Sequence, residues 1–421
     1  MPRYGKTIYT LIEFGTDKIC VMYGTRGESG RPEVLSFAQR PSAGSVYKGA
    51  IHDCNAAMKI LAQTFKDADQ SLRFSSSERG PVFFLLNGPG ITARQGGGSV
   101  MIGGTDKTVT PDHVSEAIER AKSLPSSADQ VNFGIFDSYF VINGTTRIKD
   151  PIGKLADRLD AFVHILSVDR KRIDQVNAML RELGFEQGGS AMSAAIASVF
   201  SVLTYEERDM GALLVDMGSG VTTYAVVTGD GAQFSGVIPV GVNNIANDLH
   251  VGLDLPFEFC LSFLRESRLR KLRETGVGFL EYSDRAHSRL RRIPLDSFEK
   301  IIGERLRETF GFIRTAVEPA LPDIGTGCVL TGGGSMIDSA CDILGGIMEM
   351  RVRRGEPGAH DGAMTEFQSA PCCYSALFGM LEYALISESE DSGRFGIGQS
   401  LVGFIDGVFS KWKKTAGGLG I

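Results

Sequence analysis

Asp216 ends an apolar run and opens a glycine turn in LLVDMGSGVTTYAVV (213–227), a pattern that reads as strand, tight turn, strand. Gly218 and Gly220 flank Ser219; without a Cβ they let backbone N–H groups come close to a polyanion. A carboxylate at Asp216 suits Mg²⁺ held through water, because magnesium prefers oxygen ligands and keeps much of its hydration. Most glycine-rich hairpins are only turns, so a second copy matters. TIYTLIEFGTDKICVMY (7–23) also runs from an apolar strand into an acidic residue, Glu13, then a small-residue turn, Gly15 and Thr16, and returns through ICVMY. Two such hairpins suggest two copies of one domain plan facing each other across a cleft. A third piece, CVLTGGGSMI (328–337), is an apolar strand followed by Gly332, Gly333 and Gly334, with a helix expected from near Asp338. Backbone N–H groups at such a turn suit a sugar or phosphate edge.

The elements that must position these pieces can be read in outline. VLSFAQ (34–39) is a strand and 50–69 a helix, with Ile51, Met58, Leu61, Phe65 and Ala68 on one face. Arg79, Gly80 and Pro81 mark a junction, and VFFLLNG (82–88) is expected to open an inserted domain. Its helix follows Thr110, an N-cap before Pro111, and strands around 133–142 and 159–166 complete it. An amphipathic helix is expected over 170–183 and a small-residue helix over 191–203. The charged runs 265–274 and 284–292 read as solvated helix faces. The helix over 296–317 carries Phe298, Ile301, Ile302, Leu306, Phe310 and Ile313 at core spacing, and Pro319 and Pro322 end it.

After a last body helix at 377–386, the polar run from Ser387 reads as a flexible linker over 387–399. Over 400–415, Leu401, Phe404, Ile405, Val408, Phe409 and Trp412 fall on one helical face, with Lys411, Lys413 and Lys414 at its end. That pattern fits a helix lying in an anionic membrane interface better than one docked on the body.

Composition closes off several classes. Lys+Arg 44 against Asp+Glu 50 gives a net charge of −6, so no global basic field argues for nucleic acid. The seven cysteines show no CxxC pair and are expected to be reduced thiols in a cytoplasmic protein. The six histidines lack HExxH spacing, and no GxSxG elbow makes Ser219 a nucleophile. No apolar window is long enough to span a membrane, and no signal peptide is expected.

The three turns in this order resemble the actin-like ATPase superfamily, and more closely its bacterial cell-division family, FtsA. The resemblance rests on IEFGTDKI (12–19), SVLTYEERDMGALLVDMGSGVTT (201–223), VIPVGVNNIANDL (237–249) and IKDPIGKLADRLDAFVHIL (148–166), the last closing a small domain peculiar to that family. It implies an α/β, actin-like (ribonuclease H-like) two-lobed fold with a small inserted α+β domain and a C-terminal amphipathic helix. The first lobe would be 1–81 with 163–205 and 365–386, the insert 82–162, the second lobe 206–252 with 327–364, and its subdomain 253–326. ATP and Mg are the implied cofactors. Gly15, Thr16, Asp17, Lys18, Gly218, Ser219 and Gly220 would serve the phosphates, Gly332, Gly333 and Gly334 the adenosine, and Asp216 the metal. Asp216 and Glu13 are the catalytic candidates. Where the family has Thr and then Asp after the second turn, this chain has Val221 and Thr223. Valine has no hydroxyl to offer a phosphate or a water. The run 257–264, which in the family holds ribose and base, is nearly all apolar after Glu258. Nucleotide binding, with at most weak hydrolysis, is therefore the expectation. The implied partners are the C-terminal peptide of the tubulin-like FtsZ at 253–326, other copies of the chain in a filament, an anionic membrane surface and later division proteins, at the cytoplasmic face of the division site. The rivals are a small-molecule kinase of the same fold, for which no motif supplies a general base, and a pilus-assembly scaffold.

Overall fold

The computed structural model describes residues 7–70, 72, 80–122, 129–148, 150–229, 231–284, 289–361 and 365–391. The chain opens with three antiparallel strands, β1 (Tyr9–Phe14), β2 (Lys18–Arg26) and β3 (Pro32–Pro41). The short strands β4 (Val46–Tyr47) and β5 (Ala50–Ile51) then lead to α1 (Cys54–Gln70). This helix starts later than its periodicity suggests because Asp53 caps it, its Oδ1 accepting from the Ala56 N–H at 3.0 Å. Strand β6 (Val82–Leu86) returns parallel to β1.

The segment β7 (Thr92–Met101), α2 (Pro111–Lys122), β8 (Gln130–Ile142), β9 (Thr146–Ile148) and β10 (Arg158–Asp169) forms a separate sheet, ordered β7-β10-β8-β9, with α2 packed on it. This inserted unit has its own core around Val100, Ala117, Ala121, Leu159 and Val163. Val82 to Leu86, expected to open the insert, instead lies inside the first-lobe sheet between β1 and the next parallel strand. Likewise β10 carries the insert's sheet past residue 162 to Asp169. Five consecutive buried apolar residues announce a strand but not the sheet it joins.

Helix α3 (Arg170–Glu182) follows, capped by Asp169, and then β11 (Ser190–Ser193), α4 (Ala194–Val202) and α5 (Tyr205–Met210). The small-residue helix thus begins at Ala194, its first expected turn being spent on a strand beside β6. The second lobe repeats the first: β12 (Ala212–Met217), β13 (Thr222–Thr228) and β14 (Gly231–Ile238) are antiparallel. They are followed by α6 (Val242–Leu253), α7 (Phe257–Arg265), α8 (Arg268–Glu274), the hairpin β15 (Phe279–Asp284) and β16 (Arg289–Pro294), and α9 (Leu295–Ala316). The described residues of the charged run 284–292, Asp284 and Arg289 to Arg292, therefore pair as strands rather than forming a helix face. Strand β17 (Gly327–Thr331), α10 (Ala340–Met348) and β18 (Val352–Arg354) complete the sheet, and α11 (Thr365–Gln368) and α12 (Ser375–Asp391) close the described chain. Helix α12 runs through the start of the expected linker, with Ser387 Oγ donating to the Tyr383 carbonyl at 2.9 Å. A string of Ser and Glu is polar without being a helix breaker.

The two large sheets share one plan: β3-β2-β1-β6-β11 in the first lobe and β14-β13-β12-β17-β18 in the second. Alternate residues of β12 and β13 face opposite cores. Leu213, Val215 and Val226 join the second lobe's core, while Leu214, Ala225 and Val227 join the first lobe's core with α4 and α12. Helices α4 and α12 cross at Gly379, where a Cβ would sit 1.7 Å from the Ala197 carbonyl oxygen. The insert leans on the second lobe: buried His164 on β10 meets Ser235 Oγ on β14 at 2.7 Å.

Candidate functional site

The acidic hairpins of the two lobes are the same object. In the first, Phe14 pairs with Ile19 and the Gly15 N–H donates to the Lys18 carbonyl at 2.9 Å. In the second, Met217 pairs with Thr222 and the Gly218 N–H donates to the Val221 carbonyl at 2.9 Å. Superposing the two by register sets Glu13 against Asp216, Thr16 against Ser219, Asp17 against Gly220 and Lys18 against Val221. The turns touch across the cleft: a Cβ on Gly220 would fall 2.2 Å from Thr16 Oγ1. Glycine at 220 lets the lobes approach this closely.

The third turn closes on the second. Gly332 has φ of +79°, and a Cβ there would lie 2.3 Å from Asp216 Oδ1. Its N–H donates to the Cys372 carbonyl at 3.2 Å. A short 3₁₀ turn over Gly333–Met336 separates this glycine from α10, so the helix starts at Ala340 rather than near Asp338.

Between the turns lies a cavity of about 420 Å³, within the usual size range of small-molecule clefts. Glu13, Gly15, Asp17, Lys18, Asp216, Gly218, Ser219, Gly332 and Gly333 all line it, and Leu261, Leu264, Met336 and Ile337 supply an apolar wall. Thr16 and Gly220 line a smaller adjoining hollow of about 70 Å³. Gly334 reaches neither; it makes room for the Met217 side chain. Leu401, Phe404, Ile405, Val408, Phe409, Trp412, Lys411, Lys413 and Lys414 lie outside the described residues.

Electrostatically the floor of the cleft is short of positive charge. Burial pushes Glu13 up from 4.5 to about 7, with Lys18 opposing and the Asp216 charge adding. Burial also pushes Asp216 up from 3.8 to about 6, against a hydrogen bond from Ser198 Oγ to Oδ2 at 2.8 Å. Two neighbouring carboxylates held this far above their ordinary range are a poor resting arrangement and a good seat for a hydrated divalent cation. Among the described residues no group of three or more His, Cys, Asp or Glu could hold a metal on its own. That suits Mg²⁺, which is bound through one or two carboxylates, waters and substrate phosphates. Lys18 is the nearby cation, its Nζ 3.6 Å from the centre of the Tyr374 ring. In the smaller hollow, Thr223 Oγ1 and Asn87 Oδ1 are buried with no hydrogen-bond partner among protein atoms.

Three contributors escape sequence reasoning. Arg265 opens a charged run expected to face solvent, yet it reaches across the cleft to Asp17, Nη2 to Oδ1 at 2.5 Å. Its signal was its place four residues after Leu261, on the face that lines the cavity. The remaining arginines of the run behave as expected for a surface helix: Arg268 pairs with Glu266, Arg270 with Glu274 and Asp338, and Arg273 with Asp296 and Glu299. Ser198 on α4 and Tyr374 before α12 carry no local sequence signal at all.

Comparison with known proteins bears on this geometry. The family described as "SHS2 domain inserted in FTSA" matches residues 88–167, and the family described as "Cell division protein FtsA" matches 213–377, together more than half of the chain. The chain belongs to the FtsA family. It is 27% identical to the FtsA of Pseudomonas aeruginosa over 397 residues, covering 92% of this chain and 91% of that one. It is 23% identical to the FtsA of Escherichia coli, covering 88% and 89%. Among solved structures it is similar to a PilM-PilN type IV pilus biogenesis complex, with TM-score 0.58, 15% identity and coverage of 88% and 96%. It is also similar to MreB5 of Spiroplasma citri bound to ADP, with TM-score 0.53, 11% identity and coverage of 92% and 99%. The fold is thus the actin-like one, with the FtsA insert where that family carries it, and the chain is a cell-division protein. The FtsA insert match from residue 88 agrees with the exclusion of β6 from the inserted sheet.

Proposed function

We propose that this FtsA-family chain is a division adaptor that binds ATP with Mg²⁺ in the cleft as a conformational switch, polymerises in actin-like filaments at the cytoplasmic face of the membrane, and tethers FtsZ there. One observation carries the nucleotide reading: two equivalent acidic turns face each other across a cavity of about 420 Å³, with Cβ-less Gly332 packed against Asp216. The ADP held by the similar MreB5 lends it support. In this reading the N–H groups of the two turns and Lys18 bind phosphate oxygens, and the apolar wall of Leu261, Leu264, Met336 and Ile337 takes the base. Asp216, oriented by Ser198, and Glu13 hold the hydrated metal. Bound Mg²⁺ supplies charge neutralisation for the phosphates and returns both carboxylates to their ionised state. Val221, where the first lobe has Lys18, offers no donor, so retention outweighs turnover; Thr223 Oγ1 is left as the hydroxyl that could hold a water.

A groove of about 450 Å³ between α7, α8 and α9 has Phe263, Leu264, Leu269 and Ile302 as floor and Arg270, Arg273 and Arg307 at its rim, beside the carboxylates of Glu299 and Asp338. An apolar floor with exchangeable rim arginines fits the C-terminal peptide of FtsZ. The segment 400–415 supplies the membrane contact, multiplied by filament avidity. Among the described residues no helix is long and apolar enough to cross a membrane.

Calorimetry of Mg-ATP and Mg-ADP against the full chain and Asp216→Ala tests the switch. Measurable binding that the substitution abolishes supports it, and no binding to the unaltered chain sinks it. Co-sedimentation with vesicles containing anionic lipid, for the full chain and one ending at residue 391, tests the tether; equal binding by both would refute it.

A further inference from the structure

We propose that Arg265 and Asp17 form a latch across the cleft that a polyphosphate opens by taking the guanidinium for itself. The inference rests on the nucleotide reading of the cavity. Asp17 is the odd residue of the first turn: its counterpart in the second turn is Gly220, and an extra carboxylate beside a phosphate seat repels the ligand that the turn is shaped to hold. What Asp17 does hold is Arg265, at 2.5 Å, and that residue comes from the other lobe. Both line the cavity, and the side chains are 48% and 42% exposed, so the guanidinium is free to exchange partners without leaving a buried charge behind.

The arrangement makes the exchange favourable. Of the described residues that line the cavity, Lys18 and Arg265 are the cations, against the carboxylates of Glu13, Asp17 and Asp216. Lys18 is already stacked on Tyr374. A triphosphate needs more positive charge than one lysine provides, and a planar guanidinium matches phosphate oxygens in a bidentate fork. Helix α7 places Arg265 one turn beyond Leu261, so the same face that walls the base also reaches the phosphates. Asp17–Arg265 joins the lobes directly; a bound polyphosphate exchanges that tie for a bond through the ligand. Occupancy of the cleft is thereby converted into a change in how the lobes are joined.

The test is calorimetry of ATP, ADP and adenosine, with magnesium, against the full chain, Asp17→Asn, Arg265→Gln and the double variant. Loss of an exposed ion pair is small, so Asp17→Asn should tighten ATP by up to about fivefold and leave adenosine unchanged. Arg265→Gln should weaken ATP by about tenfold, again sparing adenosine, and in the Arg265→Gln background Asp17→Asn should give a smaller gain than it gives alone. A weaker ATP affinity in Asp17→Asn would make Asp17 a direct ligand and overturn the latch. So would an equal shift for adenosine, or a fivefold gain that survives in the double variant. If ATP does not bind the unaltered chain, the nucleotide reading fails and the latch fails with it. Binding with no response to Asp17→Asn defeats the latch alone. Both residues are half exposed, and matching circular dichroism spectra will show that the variants fold.

Discussion

Replacing Glu13 by Gln isolates the cost of a charged carboxylate at that place in the cleft. The carboxyl lines the cavity and is displaced from 4.5 to about 7, chiefly by loss of solvation, with Lys18 opposing and Asp216 adding. An acid whose folded value is raised binds its proton more tightly in the native state than in the unfolded one. Stability from this group is therefore fully present below about pH 4.5 and lost as pH climbs to about 7. At about 1.4 kcal/mol for each tenfold change in proton affinity, the loss at pH 8 is on the order of 3 kcal/mol, against about 0.8 kcal/mol at pH 5. Glutamine never ionises, so the variant should be more stable than the native chain at pH 8 by about 2.5 kcal/mol more than it is at pH 5. Urea unfolding followed by far-ultraviolet circular dichroism reads the difference. Saturating Mg²⁺ should shrink the gap by giving the native carboxylate a partner. An equal effect at both pH values, or a less stable variant at pH 8, would refute the claim that Glu13 is held against its charge.

Other consequences are open to simpler measurements. Ser198→Ala removes the hydrogen bond that restrains Asp216, so Mg-ATP affinity should fall by about fivefold at pH 6 and much less at pH 8; an equal loss at both would exclude a protonation effect. Gly379→Ala forces α4 and α12 apart and should cost about 1–3 kcal/mol, visible as a lower melting temperature, whereas an unchanged melt would contradict the close crossing. Burial holds His164 down from 6.5 to about 4, so the group destabilises the native chain as pH falls from 6.5 towards 4. His164→Gln should flatten that acid limb by about 3 kcal/mol, and a limb of unchanged slope would assign the acid loss to other groups.

The twin hairpins were legible because each is a local object: an apolar run, an acid, a turn and a return, complete within β1–β2 and β12–β13. Helices with a strong face, such as α3 and α9, were legible for the same reason. Sheet membership was not. Val82 to Leu86 is as apolar as any strand of the chain, and only its pairing with Ile12 and its neighbours assigns it to the first lobe. The site followed suit. The turn residues announced themselves, while Arg265 was read with its neighbours as surface charge because its distinguishing property is the carboxylate it meets 248 residues away. The start of the expected linker, at Ser387, looked unstructured because polarity was weighed above helix propensity, and α12 continues as far as Asp391.

The near-identity of the two hairpins raises a question of direction. A cradle with true twofold symmetry would accept an elongated ligand equally well either way round, and a ligand free to sit in two senses cannot signal one. Register sets Lys18 opposite Val221 and Asp17 opposite Gly220, so one rim is ionic and the other bare. The third turn, Gly332 with its neighbours, leans on the bare side only. The paired hairpins frame the cavity, and the differences between Asp17 and Gly220 and between Lys18 and Val221 give it a heading.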